Sequence, residues 1–354
     1  MKNCLLLLLM SCMVSANAQI QNDDIFKMPE MDRSNIRKLI RFPDFGGYHT
    51  MKCDLHSHTV FSDGDVWPSA RVIEAWQHGL DAIAITDHLE HGHLVRKTLA
   101  GDFNTSCDIA LQKGKEINFI VIKGTEISRA KPFGHMNALF ITDANPLSTP
   151  EPLDAIEIAL RQGAFIMWNH PGYPDNKSTV YPVQEELIKG KKIHGIEVFN
   201  EVDVYPVCMD WCKNMHVAFM GNSDIHELAA DFYGKDAIRP MTLVFASERT
   251  EKGIREALFA GRTAAYFNGN LAGRPEHLSL LLKASIEAKT VDDGKGIVEV
   301  TNHSDISYRI SFDSGQVDLP AGKTVRTTLP KQGKALVMNC LTGMREYLSI
   351  DLPL

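Results

Sequence analysis

The chain of 354 residues is 44% hydrophobic and 23% charged, with 25 Gly and 16 Pro. That is close to an ordinary globular average and excludes collagen-like, disordered and coiled-coil classes, while the length leaves room for about two domains and an enclosed site. With 37 Lys+Arg against 44 Asp+Glu the net charge is -7; no basic excess exists to displace counterions from a polynucleotide, so long nucleic acid is not an expected partner.

Residues 1–18 read as a secretory signal: Lys2 is the positive start, Leu5 to Val14 the apolar run, and Ala16-Asn17-Ala18 the small-residue cleavage site. Cleavage near Ala18 predicts a periplasmic or secreted protein. A lipoprotein anchored at Cys12, in Leu9-Met10-Ser11-Cys12, is the second reading. Residues 19–49 form a lead-in, and no later stretch reaches the roughly 18 apolar residues of a membrane span. Beyond the signal five cysteines remain, an odd number that leaves at least one without an internal partner. Cys208 and Cys212 share one helical face; they could be a disulfide or metal pair, but two small core residues is the preferred reading.

Across residues 50–289 short apolar runs alternate with amphipathic stretches, the pattern of a parallel α/β sheet or barrel. Strands are predicted at Met51 to Leu55, Ala82 to Thr86, Phe119 to Lys123, Met136 to Ile141, Ala164 to Trp168, Gly195 to Phe199, Val217 to Met220 and Met241 to Phe245. Helices at Pro68 to His78, Glu151 to Arg161 and Glu251 to Ala260 end at Gly79, Gly163 and Gly261. Residues 290–354 change to period-two segments after a linker-like Asp292 to Gly296, which predicts a small C-terminal β-sandwich-like domain, dispensable for chemistry.

The chemistry-bearing residues cluster at strand ends. His56 and His58 project to one face of a strand, so both imidazoles can reach one ion. Alone this is weak, since 14 His in this length yield a His-x-His by chance about 0.6 times. What strengthens it is repetition: Asp87-His88, Glu126, His135, His170 and Asp224-x-His226 all flank apolar runs. Any one of these could be a hydrogen-bonded or capping residue, but converging charges must be paired or metal-bound to be tolerated.

These pieces closely resemble the polymerase and histidinol phosphatase (PHP) family of metal-dependent phosphoesterases. The matching stretches are His56-Ser57-His58-Thr59-Val60-Phe61-Ser62-Asp63-Gly64, Ile85-Thr86-Asp87-His88, Gly124-Thr125-Glu126 with His135, Asn169-His170-Pro171, and Ser223-Asp224-Ile225-His226. The resemblance implies a distorted seven-stranded (β/α) barrel. It also implies three divalent ions: one at His56, His58, Glu126 and Asp224, a second at Glu126, His135 and His170, a third at Asp63, His88 and His226. Imidazole and carboxylate ligands suit Zn, Mn or Fe. The implied reaction is hydrolysis of a small phosphate ester by a metal-bridging hydroxide, with Glu126, Asp224 and His226 as catalytic residues. Arg129, Lys131 and Arg239 are candidate phosphate-binding cations, with solvated surface charge as the competing reading. His91 or His93 could donate a proton to the leaving group, although a solvated loop is the preferred reading. An amidohydrolase-type amide or ester hydrolase is the alternative enzyme; those barrels usually carry a Lys ligand at a strand end, where this chain has Glu126. A non-catalytic binding protein would be expected to have lost ligands, and the set is complete.

Overall fold

The computed structural model describes residues 36–92, 95–234 and 238–352. The expected signal segment, the Cys12 anchor, most of the lead-in and His93 lie outside the described residues. From Arg37 onward the chain forms one compact unit.

The strands are β1 His49–Asp54, β2 Ala82–Ile85, β3 Ile120–Ser128, β4 His135–Leu139, β5 Phe165–Trp168, β6 Gly195–Asn200, β7 Asp203–Val204, β8 Ala218–Asn222, β9 Met241–Ala246, β10 Thr263–Phe267 and β11 Asn270–Gly273. Among the described residues seven α-helices intervene: α1 Pro68–Gln77, α2 Thr105–Ile117, α3 Pro152–Arg161, α4 Pro182–Lys189, α5 Pro206–Met215, α6 Ala229–Tyr233 and α7 Glu251–Phe259; α8 Pro275–Ser285 follows. Proline opens five of them, at Pro68, Pro152, Pro182, Pro206 and Pro275. There the missing N–H costs nothing and the fixed φ is already helical. Gly79, Gly163 and Gly261, read as helix stops, take positive φ as that role requires.

β1, β2 and β3 pair in parallel, as do β5, β6 and β8, in keeping with their almost complete burial. β4 runs antiparallel between β3 and β5, and β9 antiparallel to β1, so the sheet is mixed rather than wholly parallel. β8 meets β9 through a side chain: the Thr242 hydroxyl accepts from the Gly221 N–H at 3.0 Å and donates to the Gly221 carbonyl at 2.9 Å. A Cβ on Gly221 would stand 2.9 Å from that of Ala265, so only glycine lets the sheet curl this tightly.

The C-terminal strands are β12 Ile286–Asp292, β13 Ile297–Asn302, β14 Tyr308–Phe312, β15 Gly315–Leu319, β16 Thr324–Thr328, β17 Gly333–Gly343 and β18 Glu346–Leu352. They make two layers, β12-β13-β16 and β15-β14-β17-β18. The Asp292 to Gly296 stretch is the connection of the β12–β13 hairpin, not a linker, and the boundary expected after residue 289 falls inside β12. β17 pairs in parallel with β11, which makes the second layer continuous with the large sheet. One apolar core runs from Ile40 and Phe42 through Tyr266 and Leu278 into Val300, Ile310 and Val337. Cys208 and Cys212 are buried and unbridged, and the Cys212 thiol points at the Ile196 and Ala218 carbonyls, as small core residues do.

Candidate metal centre

Every predicted ligand comes to one mouth of the curled sheet. His56, His58 and Asp63 follow β1, His88 follows β2, Glu126 lies near the end of β3, His170 follows β5, and Asp224 and His226 follow β8. His135 is the first residue of β4, and because that strand is antiparallel its start reaches the same end. The loops after β1 and β8 are stitched together: the Asp224 N–H donates to the His56 carbonyl at 2.9 Å and the His58 N–H to that of Ile225 at 3.1 Å. A Cβ on Gly64 would stand 2.9 Å from the His58 carbonyl carbon, so the Asp63 turn closes only with glycine. His170 and Asp224 adopt φ of 25° and 50°, local strain of the kind found where a site dictates backbone geometry.

Glu126, fully buried, is the hub. Its Oε2 lies 3.3 Å from both His56 Nε2 and His58 Nε2 and 3.0 Å from His88 Nδ1, and its Oε1 lies 2.9 Å from His135 Nδ1 and 3.6 Å from His170 Nε2. Asp224 Oδ1 is 3.0 Å from His56 Nε2 and 2.9 Å from His58 Nε2, and its Oδ2 is 3.6 Å from His170. Asp63 Oδ1 faces His88 at 3.4 Å and His226 at 3.3 Å. His88 therefore reaches both Asp63 and Glu126 and stands between two of the three expected ligand groups.

Four subsets have their ligand atoms within 4.8 Å of one another: His58, Asp63, His88 and His226; His56, His170 and Asp224; His56, His58 and Glu126; His88, Glu126 and His135. The fit to cations rests on alignment as well as distance. His58 Nε2, His135 Nδ1 and Asp224 Oδ1 are buried without a hydrogen-bond partner, although other ligand atoms lie about 3 Å away. Such groups face common points rather than each other, and buried polar groups left this way are costly unless a cation completes them.

Charge is arranged to match. Burial alone would raise the Glu126 carboxyl, but His88 and His56 outweigh it and hold it well below the usual range; His56 does the same for Asp224. Burial would depress His56, yet the carboxylates of Asp224, Glu197 and Glu126 raise it well above an ordinary imidazole. For His226 the Asp63 carboxylate overcomes burial and raises it to about 9, whereas burial wins at His88 and pushes it down to about 3.

Around the ligands stands a layer that motif reading did not assign. Glu197, in β6, is fully buried; its Oε1 lies 3.0 Å from His56 Nδ1 and accepts from Asn222 Nδ2 at 2.9 Å. Its Oε2 accepts from the His170 N–H and from Asn200 Nδ2, both at 2.8 Å. Asn169 donates to Glu126 Oε1 at 3.0 Å. An acid inside the apolar run Gly195-Ile-Glu-Val-Phe199 was the available signal for Glu197.

The candidate phosphate cations fare differently. Arg239 is buried, paired at 2.8 Å with Asp54, and does not line the site cavity, so its role is structural. Arg129 is engaged by Glu90 and by the Ser128 and Thr149 carbonyls. Lys131 is held by Asp175 at 2.5 Å and the Lys177 carbonyl at 2.8 Å. His91 stands at the rim, its Nε2 3.3 Å from Asp63 and its ring 4.0 Å from that of His88.

No family model and no curated protein matches the sequence. Among solved structures, the chain is similar to a two-domain protein from Bacteroides vulgatus containing a predicted PHP-like metal-dependent phosphoesterase. The two are 34% identical, with a TM-score of 0.84, over 90% of this chain and 99% of that one. A looser likeness, at 18% identity and a TM-score of 0.41, covers 60% of this chain and 98% of a proposed metal-dependent phosphoesterase from Bifidobacterium adolescentis. Another, at 16% and 0.40, covers 64% of this chain and 59% of a lesion-specific endonuclease from Pyrococcus furiosus. With full-length similarity at this identity, and with imidazoles and carboxylates gathered at one mouth, the chain belongs to the PHP-like metal-dependent phosphoesterases, a family of phosphoric ester hydrolases.

Proposed function

We propose that this protein hydrolyses a small phosphate ester at a site of three divalent ions, Zn, Mn or Fe, held by His56, His58, Asp63, His88, Glu126, His135, His170, Asp224 and His226. The observation that carries the reading is Glu126, a buried carboxylate ringed by five imidazoles and bordered by ligand atoms without hydrogen-bond partners. In this reading the curled sheet is the seven-stranded PHP barrel, residues 50–289 are catalytic and residues 290–354 support them. Export after cleavage near Ala18 belongs to the proposal on the strength of residues 1–18 alone.

Divalent ions, when bound, neutralise phosphoryl oxygens and make a water acidic enough to supply a nucleophile at neutral pH. The protein's part is placement. Glu126 and Asp224 keep their charge across the neutral range; Glu197 fixes the His56 ring from behind, and Asn169 fixes the Glu126 carboxylate.

The test is metal analysis of the purified protein together with turnover on a panel of phosphate esters, for the native chain and Glu126→Ala. Glu126→Ala should lose bound metal and orders of magnitude in kcat while its circular dichroism stays native. Near-normal turnover by that variant would overturn the mechanism.

A further inference from the structure

Beside the cluster, on the side of His135 and His170, lies a cavity of about 410 Å³. We propose that it receives the leaving group of the ester and that this group is an uncharged aromatic ring, so that the natural substrate is a phosphate ester of an aromatic alcohol; the inference rests on the phosphoesterase reading above.

Continuity comes first. His135, His170 and Tyr173 line both this cavity and the one bounded by Asp63, His88, Asp224 and His226. An ester whose phosphorus sits at the ligand cluster can therefore extend its ester oxygen past His135 and His170 directly into this space.

The walls specify what enters. Phe133, Trp168, Tyr173 and Tyr181 line it; Phe133 and Trp168 are almost wholly buried and back the wall, and the open ring is that of Tyr173. Trp168 is backed by Trp211, stacked at 5.4 Å and 7°, which fixes its plane. Tyr173 packs its ring 5.4 Å from that of His170 and 5.7 Å from that of His135, yet remains 58% exposed. A large ring left open beside a catalytic mouth has surface to offer an incoming one, and aromatic pairs add attraction beyond the area they bury.

The cationic and amide groups on the wall are already engaged. Arg129 and Lys131 are held by Glu90 and Asp175 and by backbone carbonyls, and Gln184 donates to the Pro132 and Phe133 carbonyls. A second phosphate or a carboxylate would have to break those pairs to gain a partner. A polyhydroxylated sugar would meet cationic and amide donors that are already committed. A neutral ring displaces only water.

The experiment compares benzyl phosphate with ethyl phosphate on the metal-loaded full chain. Their alcohols are nearly equal in acidity, so the ratio of kcat/KM reads the cavity rather than intrinsic reactivity. Benzyl phosphate should be favoured by about tenfold or more, the scale expected for burying one ring. Calorimetry should show benzylphosphonate, which resists hydrolysis, binding tighter than ethylphosphonate by a similar factor. Tyr173→Ala should lower both ratios several-fold, Tyr173→Phe should keep them, and Thr179→Trp, which fills the cavity, should abolish them. Equal values for the two esters and the two phosphonates, or ratios indifferent to these variants, would overturn the leaving-group assignment and leave the phosphoesterase reading intact. If neither ester turns over, the phosphoesterase reading fails on its own, and the phosphonate pair still decides what the cavity holds.

Discussion

Glu197 touches no open space, yet it faces the back of His56 and the backbone of His170 together. Carboxylates behind metal-binding imidazoles fix the tautomer and raise ligand basicity. Glu197→Gln should weaken metal affinity by about 10–100-fold, read by competition with a chromophoric chelator, while the melting temperature of the metal-free protein changes little. A different histidine sets an acid limit. His194 Nδ1 accepts from the Ile166 N–H at 2.9 Å, and burial, then the Arg255 guanidinium, pushes it from the ordinary 6.5 down to about 4. A depressed imidazole binds its proton in the unfolded chain first, so its contribution to stability is whole above about pH 6.5 and is lost as pH falls toward 4. His194→Asn should lose less stability between pH 7 and pH 5 than the native chain, by on the order of 1–3 kcal/mol in denaturant titrations. At this scale most ligands were legible because they border apolar runs and repeat one geometry, whereas Asp63, in a loop of polar residues, was legible only through the resemblance of its motif. Arg239 was not, since a cation after a motif has the same one-letter signature whether it meets a phosphate or is buried against Asp54.

Among the elements, α1 acts as a clasp for two of the ligand loops. Arg71, fully buried, donates to the His58 carbonyl at 3.1 Å, to that of His226 at 2.8 Å and to that of Glu227 at 2.7 Å, while Glu74 balances its charge at 2.7 Å. One guanidinium thus ties the loop after β1 to the loop after β8, and only a planar fork reaches so many carbonyls. Arg71→Lys keeps the charge and loses the fork. It should destabilise by about 1–3 kcal/mol, the range for leaving a buried acceptor without its donor, seen as a lower melting temperature. It should also lower metal affinity, which a purely structural defect in the folded fraction would not do. The strands themselves were readable from apolar runs, but direction was not: β4 carries the same alternation whichever way it runs, and its antiparallel course is settled by pairing with β3 and β5.

For the whole molecule, the expectation that residues beyond about 289 are separable meets a shared core. Ile310, Val317, Val337 and Leu348 pack into the same cluster as Phe42, Tyr266 and Leu281, and β17 adds directly to β11. Truncation before Thr290 would expose that core. The shortened chain should fail to give a cooperative thermal transition and should bind no stoichiometric metal, measured by calorimetry and elemental analysis. The period-two strands of this segment were visible in the sequence, but a packed module and a detached one share that pattern. What distinguishes them is long-range pairing, such as Lys213 with Glu346 and the Met344 N–H with Asp210.

That long-range pairing also sets an order of events during synthesis. Arg41 and Asp305 are 264 residues apart and make four hydrogen bonds between them. At 5–20 residues per second a ribosome needs roughly 15–50 s to travel that distance. Throughout that interval the β1 loop, with its paired histidines, exists without the strands that complete the core beneath it. Topologies dominated by such distant contacts fold slowly and late. The candidate cation site is therefore expected to assemble after translation has passed β17 and β18 rather than while its first ligands emerge.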